Sequence, residues 1–131
     1  MAEDCLERAR KIREQTLGFN HPRTADVLGS LAEVRLSQKN VKDAEVLYTR
    51  SLNIRESALG KAHPDVGYSL MGLADVEQFR GNQAHVEILL RRALDTLKNG
   101  LGAGHPDVID CQAKLNASLL ALGREPEANT V

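Results

Sequence analysis

The sequence has no tryptophan, two tyrosines and two phenylalanines among its 131 residues. With aromatics at 3%, a core must be built from Leu, Ala, Val and Ile, a palette that favours helices. Cysteine is equally scarce. Cys5 and Cys111 form no CxxC pair, and two isolated thiols fit a reducing compartment better than a disulfide framework. Neither sign of charge prevails: a formal net charge of −1 lacks the basic footprint that nucleic-acid binding needs. No apolar run approaches the roughly 18 residues of a bilayer-spanning helix, and the opening stretch MAEDCLERARKIRE has no apolar signal region. A soluble, cytoplasmic protein with no membrane or nucleic-acid partner is therefore expected. The remainder, 42% apolar and 27% charged, is the balance of a folded domain rather than a disordered chain.

What is abundant is self-similarity. Leu-Gly occurs at Leu17-Gly18, Leu59-Gly60 and Leu101-Gly102, each 42 residues from the last, and His-Pro at His21-Pro22, His63-Pro64 and His105-Pro106 in the same step. Further columns share the register: Arg8, Arg50 and Arg92; Ala9, Ser51 and Ala93; Leu31, Leu73 and Leu115; Ala2, Ala44 and Val86. Each unit reads as two helices. The first opens at His-Pro, where proline's missing N–H costs nothing and Asp65 and Asp107 meet the positive end of the helix dipole. Val66, Leu70, Leu73, Ala74 and Val76 make one apolar face, and Gly81 suits a left-handed helix end. The second helix carries Val86, Leu89, Leu90, Ala93, Leu94 and Leu97 as its stripe, ending at Gly100 and Gly102. The spacing predicts an all-α chain of six helices over about 2–16, 23–38, 41–58, 65–80, 83–99 and 107–122, antiparallel to their neighbours because the loops are short.

The columns Leu31-Ala32, Leu73-Ala74, Gly81, Ala44, Tyr48, Leu90 and Ala93 resemble the packing positions of tetratricopeptide repeats. The 42-residue step, and the stretch from Ala44-Glu45 to Leu59-Gly60, are similar to the repeats of kinesin light chains. The resemblance covers nearly the whole chain. It implies a right-handed α-α superhelix whose first helices line a concave groove, and a protein–protein interaction module (a scaffold or adaptor) rather than an enzyme. A half hairpin over 2–18, hairpins over 19–60 and 61–102, and a half hairpin over 103–131 are expected. Arg124 to Ala128 reads as the start of another second helix. Two readings of the ends stand side by side: a piece of a longer array, or a chain whose uncapped ends pair with another copy as an assembly unit or spacer.

By the family's geometry the groove-facing positions are Asp26, Gly29, Glu33, Leu36 and Ser37; then Tyr68, Met71, Asp75, Gln78 and Phe79; then Asp110, Ala113, Ala117, Leu120 and Ala121. Kinesin light chains carry Asn-Asn-Leu-Ala on this helix. Here the places read Gly29-Ser30-Leu31-Ala32, Met71-Gly72-Leu73-Ala74 and Ala113-Lys114-Leu115-Asn116, which argues against kinesin-type cargo. The acids Asp26, Glu33, Asp75 and Asp110 would repel an acidic peptide. A basic or apolar partner segment is expected, with Tyr68, Met71 and Phe79 as apolar anchors. Arg35 and Glu77 stand where the family packs tyrosine, at a position expected to be partly buried, which predicts below-average stability for the array.

Other motifs dissolve in the repeat. His63-Pro64-Asp65 and His105-Pro106-Asp107 spell the tripeptide of J-domain proteins, but their recurrence in register marks a helix start. Histidines one repeat apart would be separated by two helix diameters, roughly 15–20 Å, too far to share a metal whose ligands lie about 2 Å from one centre. Gly100-Leu101-Gly102-Ala103-Gly104 has no GxxxxGK[ST] lysine and follows a helix. Neither a cofactor nor a catalytic residue is expected.

Overall fold

The computed structural model describes residues 2–18 and 20–124, so the expected helix start over 125–128 lies outside the described residues. Six helices follow in order: α1 (Ala2–Leu17), α2 (Pro22–Ser37), α3 (Val41–Leu59), α4 (Pro64–Arg80), α5 (Gln83–Leu101) and α6 (Pro106–Ala121). Each lies within two residues of its predicted span. Among the described residues there is no strand, and no helix is long and apolar enough to cross a membrane.

The helix starts show why His-Pro repeats. Proline fills the first helical position, and the histidine before it is itself the cap. His21, His63 and His105 have extended backbones, and each Nδ1 accepts the N–H two residues on: Arg23 at 3.1 Å, Asp65 at 3.1 Å and Asp107 at 3.0 Å. Imidazole here does what a serine or aspartate oxygen usually does. An Nδ1 that accepts carries no proton, so its approach to Asp65 Oδ2 at 3.8 Å is not an ion pair.

The helix ends follow two patterns. α4 closes on Gly81 in the left-handed region, φ 78°, with the Asn82 N–H returning to the Glu77 carbonyl at 3.0 Å. The same closure ends α2, where the residue at φ 64° is Lys39. α3 and α5 instead stop on Gly60 and Gly102, both at φ 89° with ψ 156° and 152°, a region open essentially to glycine alone. The sequence places the end of α5 two residues early, because Gly100 looks like a helix breaker. Gly100 is inside the helix, serving close approach: a Cβ there would stand 2.1 Å from Cγ of Pro64.

The chain divides into two compact units, Met1–Lys61 and Ala62–Val131. In the first, α2 packs against both α1 and α3. Ala25, Leu28 and Ile54 form a buried cluster with Leu47 against it, and Ser51 Oγ donates to the buried Ala25 carbonyl at 2.9 Å. α1 is tied on by charge. Arg35 donates to Glu3 and to Glu7 (3.3 Å), and Arg50 to Glu14 (3.1 Å). Arg35 and the Gln38 amide together hold the Glu3 carboxyl below the usual range, the amide's hydrogen bond contributing most. Arg35 thus joins α2 to α1, whereas Glu77 pairs within its own helix, with Arg80 at 3.1 Å.

In the second unit α5 packs between α4 and α6. Val66, Leu70, Val76, Leu90, Leu97, Val108, Leu115 and Leu119 are at most 2% exposed. Those on α4 and α5 belong to the expected apolar faces, of which Leu73 and Leu89 are only half-buried. Gly67 lets the hairpin close: a Cβ on it would meet Leu97 Cγ at 2.7 Å and the Ala93 carbonyl oxygen at 3.3 Å.

Candidate functional site

Within the second unit, the C-terminal half of α4, the N-terminal half of α5 and the C-terminal half of α6 leave a cleft of about 280 Å³ between them. Its walls are Ala74, Val86, Leu90, Ala117 and Ala121; its polar groups are Asp75, Gln78, Gln83 and Lys114. The cleft exists because the walls are alanines where larger side chains would meet. Leu90, 2% exposed, is fixed from behind by α6, whose Cys111 thiol donates to the Leu90 carbonyl at 3.7 Å. Burial pushes that thiol up to about 11, so it stays neutral at physiological pH and is no ready nucleophile. Gln83 Oε1 is buried and accepts no hydrogen bond among the described residues.

Lys114 organises the rim. Its ammonium lies 3.8 Å from Asp75 Oδ1 and 3.8 Å from Asp110 Oδ2, with all three side chains 41–60% exposed. Pairs this long and this wet contribute well under about 1 kcal/mol each. They are therefore readily exchanged for a partner's charges. Asp75, Gln78, Ala117 and Ala121 were expected at a groove and line the cleft. Lys114, Gln83, Val86 and Leu90 were not expected there. Lys114 was legible as an i,i+4 partner of Asp110; Val86 and Leu90 read simply as core, and Gln83 as a helix start.

The other expected binding residues fall elsewhere. Tyr68 is 37% exposed, and its hydroxyl donates to Asp107 Oδ2, joining α4 to the start of α6. Met71 is half-buried, and Phe79 is 52% exposed at the end of α4. In the first unit Asp26 accepts from Arg55 at 2.9 Å, while Glu33 is exposed. Each acid with a basic partner is partly neutralised, so within each unit the first-helix surface is less acidic than its acids alone imply. No cluster of His, Cys, Asp or Glu suited to a metal occurs among the described residues.

The Tyr68 phenol is pushed up to about 12, chiefly by desolvation and then by its bond to Asp107. The neutral phenol is the form this contact stabilises. Its contribution is complete below the ordinary tyrosine value of about 10 and is lost as pH rises through about 12. The difference in tyrosinate absorbance between the parent and Tyr68→Phe should show a midpoint near 12, and Asp107→Asn should bring it down. A midpoint near 10 in the parent would show the contact to be unoccupied in solution.

A family model described as Tetratricopeptide repeat matches residues 1–57 and 27–99. Among solved structures the chain is similar to BtubC (BKLC) from P. vanneervenii, with a TM-score of 0.83 and 21% identity, over 93% of this chain and 49% of that one. It is also similar to the nearly identical TPR-like repeats of a kinesin-light-chain-type protein from Podosopora anserina, with a TM-score of 0.80 and 25% identity, over 94% of this chain and 58% of that one. The chain thus spans about half the length of each. No curated protein matches it in sequence. Tetratricopeptide repeats generally mediate protein–protein interaction or scaffolding and are generally not catalytic. Six helices, two hairpins that each end on a glycine (Gly60 and Gly102) and these matches agree: the chain belongs to the tetratricopeptide repeat family, with repeats of the kinesin-light-chain-like type.

Proposed function

We propose that this chain is a protein-binding module whose second unit seats one apolar side chain of a partner segment in the α4–α5–α6 cleft, with an adjacent basic side chain at Asp75 and Asp110. The observation that carries the reading is the pairing of an alanine- and leucine-walled cleft with a rim of weakly paired charges. A preformed apolar pocket bordered by a few convergent polar groups suits specific recognition. Both walls and rim stand on helices, so little ordering is lost on binding. A lysine or arginine of the partner would take Lys114's place beside the two carboxylates, and the buried Gln83 Oε1 offers an acceptor to a donor that reaches the floor. Tyr68, Met71 and Phe79 would extend the contact along α4, and in the first unit, taken by itself, Asp26 and Glu33 would offer acidic contacts on α2, within a scaffold or adaptor in the cytoplasm.

The test is a peptide-display selection on the purified chain, with the recovered peptides titrated against two variants. Bound peptides should share an apolar residue next to Lys or Arg. Ala117→Phe, which fills the cleft from an exposed position, and Asp75→Lys should each weaken binding at least about tenfold, with helicity unchanged. Peptides that bind both variants as tightly as the parent would sink the reading.

A further inference from the structure

Among the residues that line the cleft Lys114 is the only cation, and the repeat does not ask for one. Its column holds Ser30 and Gly72 in the other copies, so neither the helix nor the hairpin needs a base there. The ammonium stands between two helices, 3.8 Å from Asp75 Oδ1 on α4 and 3.8 Å from Asp110 Oδ2 on its own α6. The rim therefore already holds a cation, and that cation belongs to the chain itself.

Three roles compete for such a lysine. As a staple between α4 and α6 it is weak, because pairs this long and this exposed hold little, and Tyr68 already joins those helices through Asp107. As a lure for a partner's carboxylate it fails on charge. An anion drawn to the ammonium would stand beside two carboxylates, and two acids against one base leave the rim net negative. As a stand-in for an incoming cation it fits. A partner's lysine or arginine has to displace Lys114 from both carboxylates, and the displaced ammonium, still tethered nearby, then repels the newcomer. Both effects have the same sign. Lys114 lowers the affinity for the very side chain that Asp75 and Asp110 attract, and does so without touching the apolar walls.

We propose that Lys114 is a built-in competitor at the cleft, occupying in the unbound chain the position that a partner's basic side chain takes on binding. The inference rests on the cleft reading above and adds its regulation. A tethered group competes at an effective concentration that a cation free in solution does not match. The base that displaces Lys114 therefore has to arrive on a segment already held by its apolar side chain. Removing the charge of Lys114 accordingly strengthens the binding of a basic partner, the opposite of what a staple or a lure for an acid predicts.

Isothermal titration of the full chain tests this with two peptides. One is an apolar–arginine peptide recovered by the display selection and weakened by Ala117→Phe; the other is its citrulline counterpart, which keeps the shape and loses the charge. Lys114→Met should bind the arginine peptide about fivefold more tightly than the parent, with helicity unchanged. The citrulline peptide should change by less than about twofold, since its binding involves no charge at the rim. Arg91→Met removes the same charge from α5, where Arg91 pairs with Glu87 at 2.9 Å away from the cleft walls. It should leave the arginine peptide within about twofold of the parent. If Lys114→Met binds the arginine peptide no more tightly, or if the citrulline peptide or Arg91→Met shows the same gain, the competitor role is overturned while the cleft reading stands. If no recovered peptide is weakened by Ala117→Phe, both fall.

Discussion

Replacing Gly67 by isoleucine is expected to destabilise the second unit by about 3 kcal/mol, the upper part of the usual range for overpacking. The position tolerates no relief. The nearest atoms to a new Cβ are Cγ and Cδ2 of Leu97 at 2.7 and 2.9 Å, with the backbone oxygen of Ala93 at 3.3 Å behind them. Leu97 is fully buried and has no free rotamer to retreat into. α4 and α5 would have to separate, which strips Leu70, Leu90 and Leu97 of part of their packing. A thermal melt followed by circular dichroism should show the midpoint fall by on the order of 10 °C. Hydrogen exchange should place the loss of protection in α4 and α5. The informative partner is Ile109→Ala, which removes most of that bulk from the equivalent position of α6 and should change stability by less than about 1 kcal/mol. Equal effects of the two substitutions would mean that the two columns are packed alike, contrary to their burial.

A second large effect is expected at the helix ends. Gly102→Ala should cost about 2 kcal/mol, since φ 89° with ψ 152° lies where a Cβ is strained irrespective of the space around it. The open surroundings of Gly102, with nothing within 4 Å of an added Cβ, make the test clean: a loss of stability must come from the backbone and not from a clash. Lys39 supplies the opposite sign. It holds a left-handed conformation, φ 64°, at a helix end where α4 has glycine, so Lys39→Gly should stabilise by about 0.5 kcal/mol after the added freedom of the unfolded chain is counted. Urea midpoints with unchanged slopes would report both changes. A Gly102→Ala chain as stable as the parent would show that the α5 end relaxes to another conformation.

Much of this was legible in the residues. The repeat columns are set by local needs: a proline at the first turn, a glycine at a positive φ, a leucine on the buried face. Local needs survive in one dimension, which is why the six helices lie within two residues of their predicted limits. The apolar faces were legible for the same reason, helical periodicity being a property of the chain itself. What escaped was what a neighbouring helix decides. Arg35 looked like a polar intruder at an aromatic position, because its partners Glu3 and Glu7 belong to a helix about thirty residues earlier. Lys114 was passed over because its column holds serine and glycine in the other repeats. Val86 and Leu90 read as core and are also the floor of a cleft, a distinction that depends on the alanines opposite them.

The histidine caps and glycine stops together mark out the seams of the array. Each connection from a second helix to the next first helix begins with a glycine that the backbone demands and ends with a histidine that the helix start demands. The two residues between differ in every copy: Phe19-Asn20, Lys61-Ala62, Ala103-Gly104. The columns that recur most faithfully are therefore conformational punctuation. Individuality resides where the copies disagree, at Lys114, whose column otherwise holds Ser30 and Gly72, and at Ile109, whose column otherwise holds Ala25 and Gly67. An array of this kind changes what it recognises by rewriting its disagreements, while its seams keep the architecture unchanged.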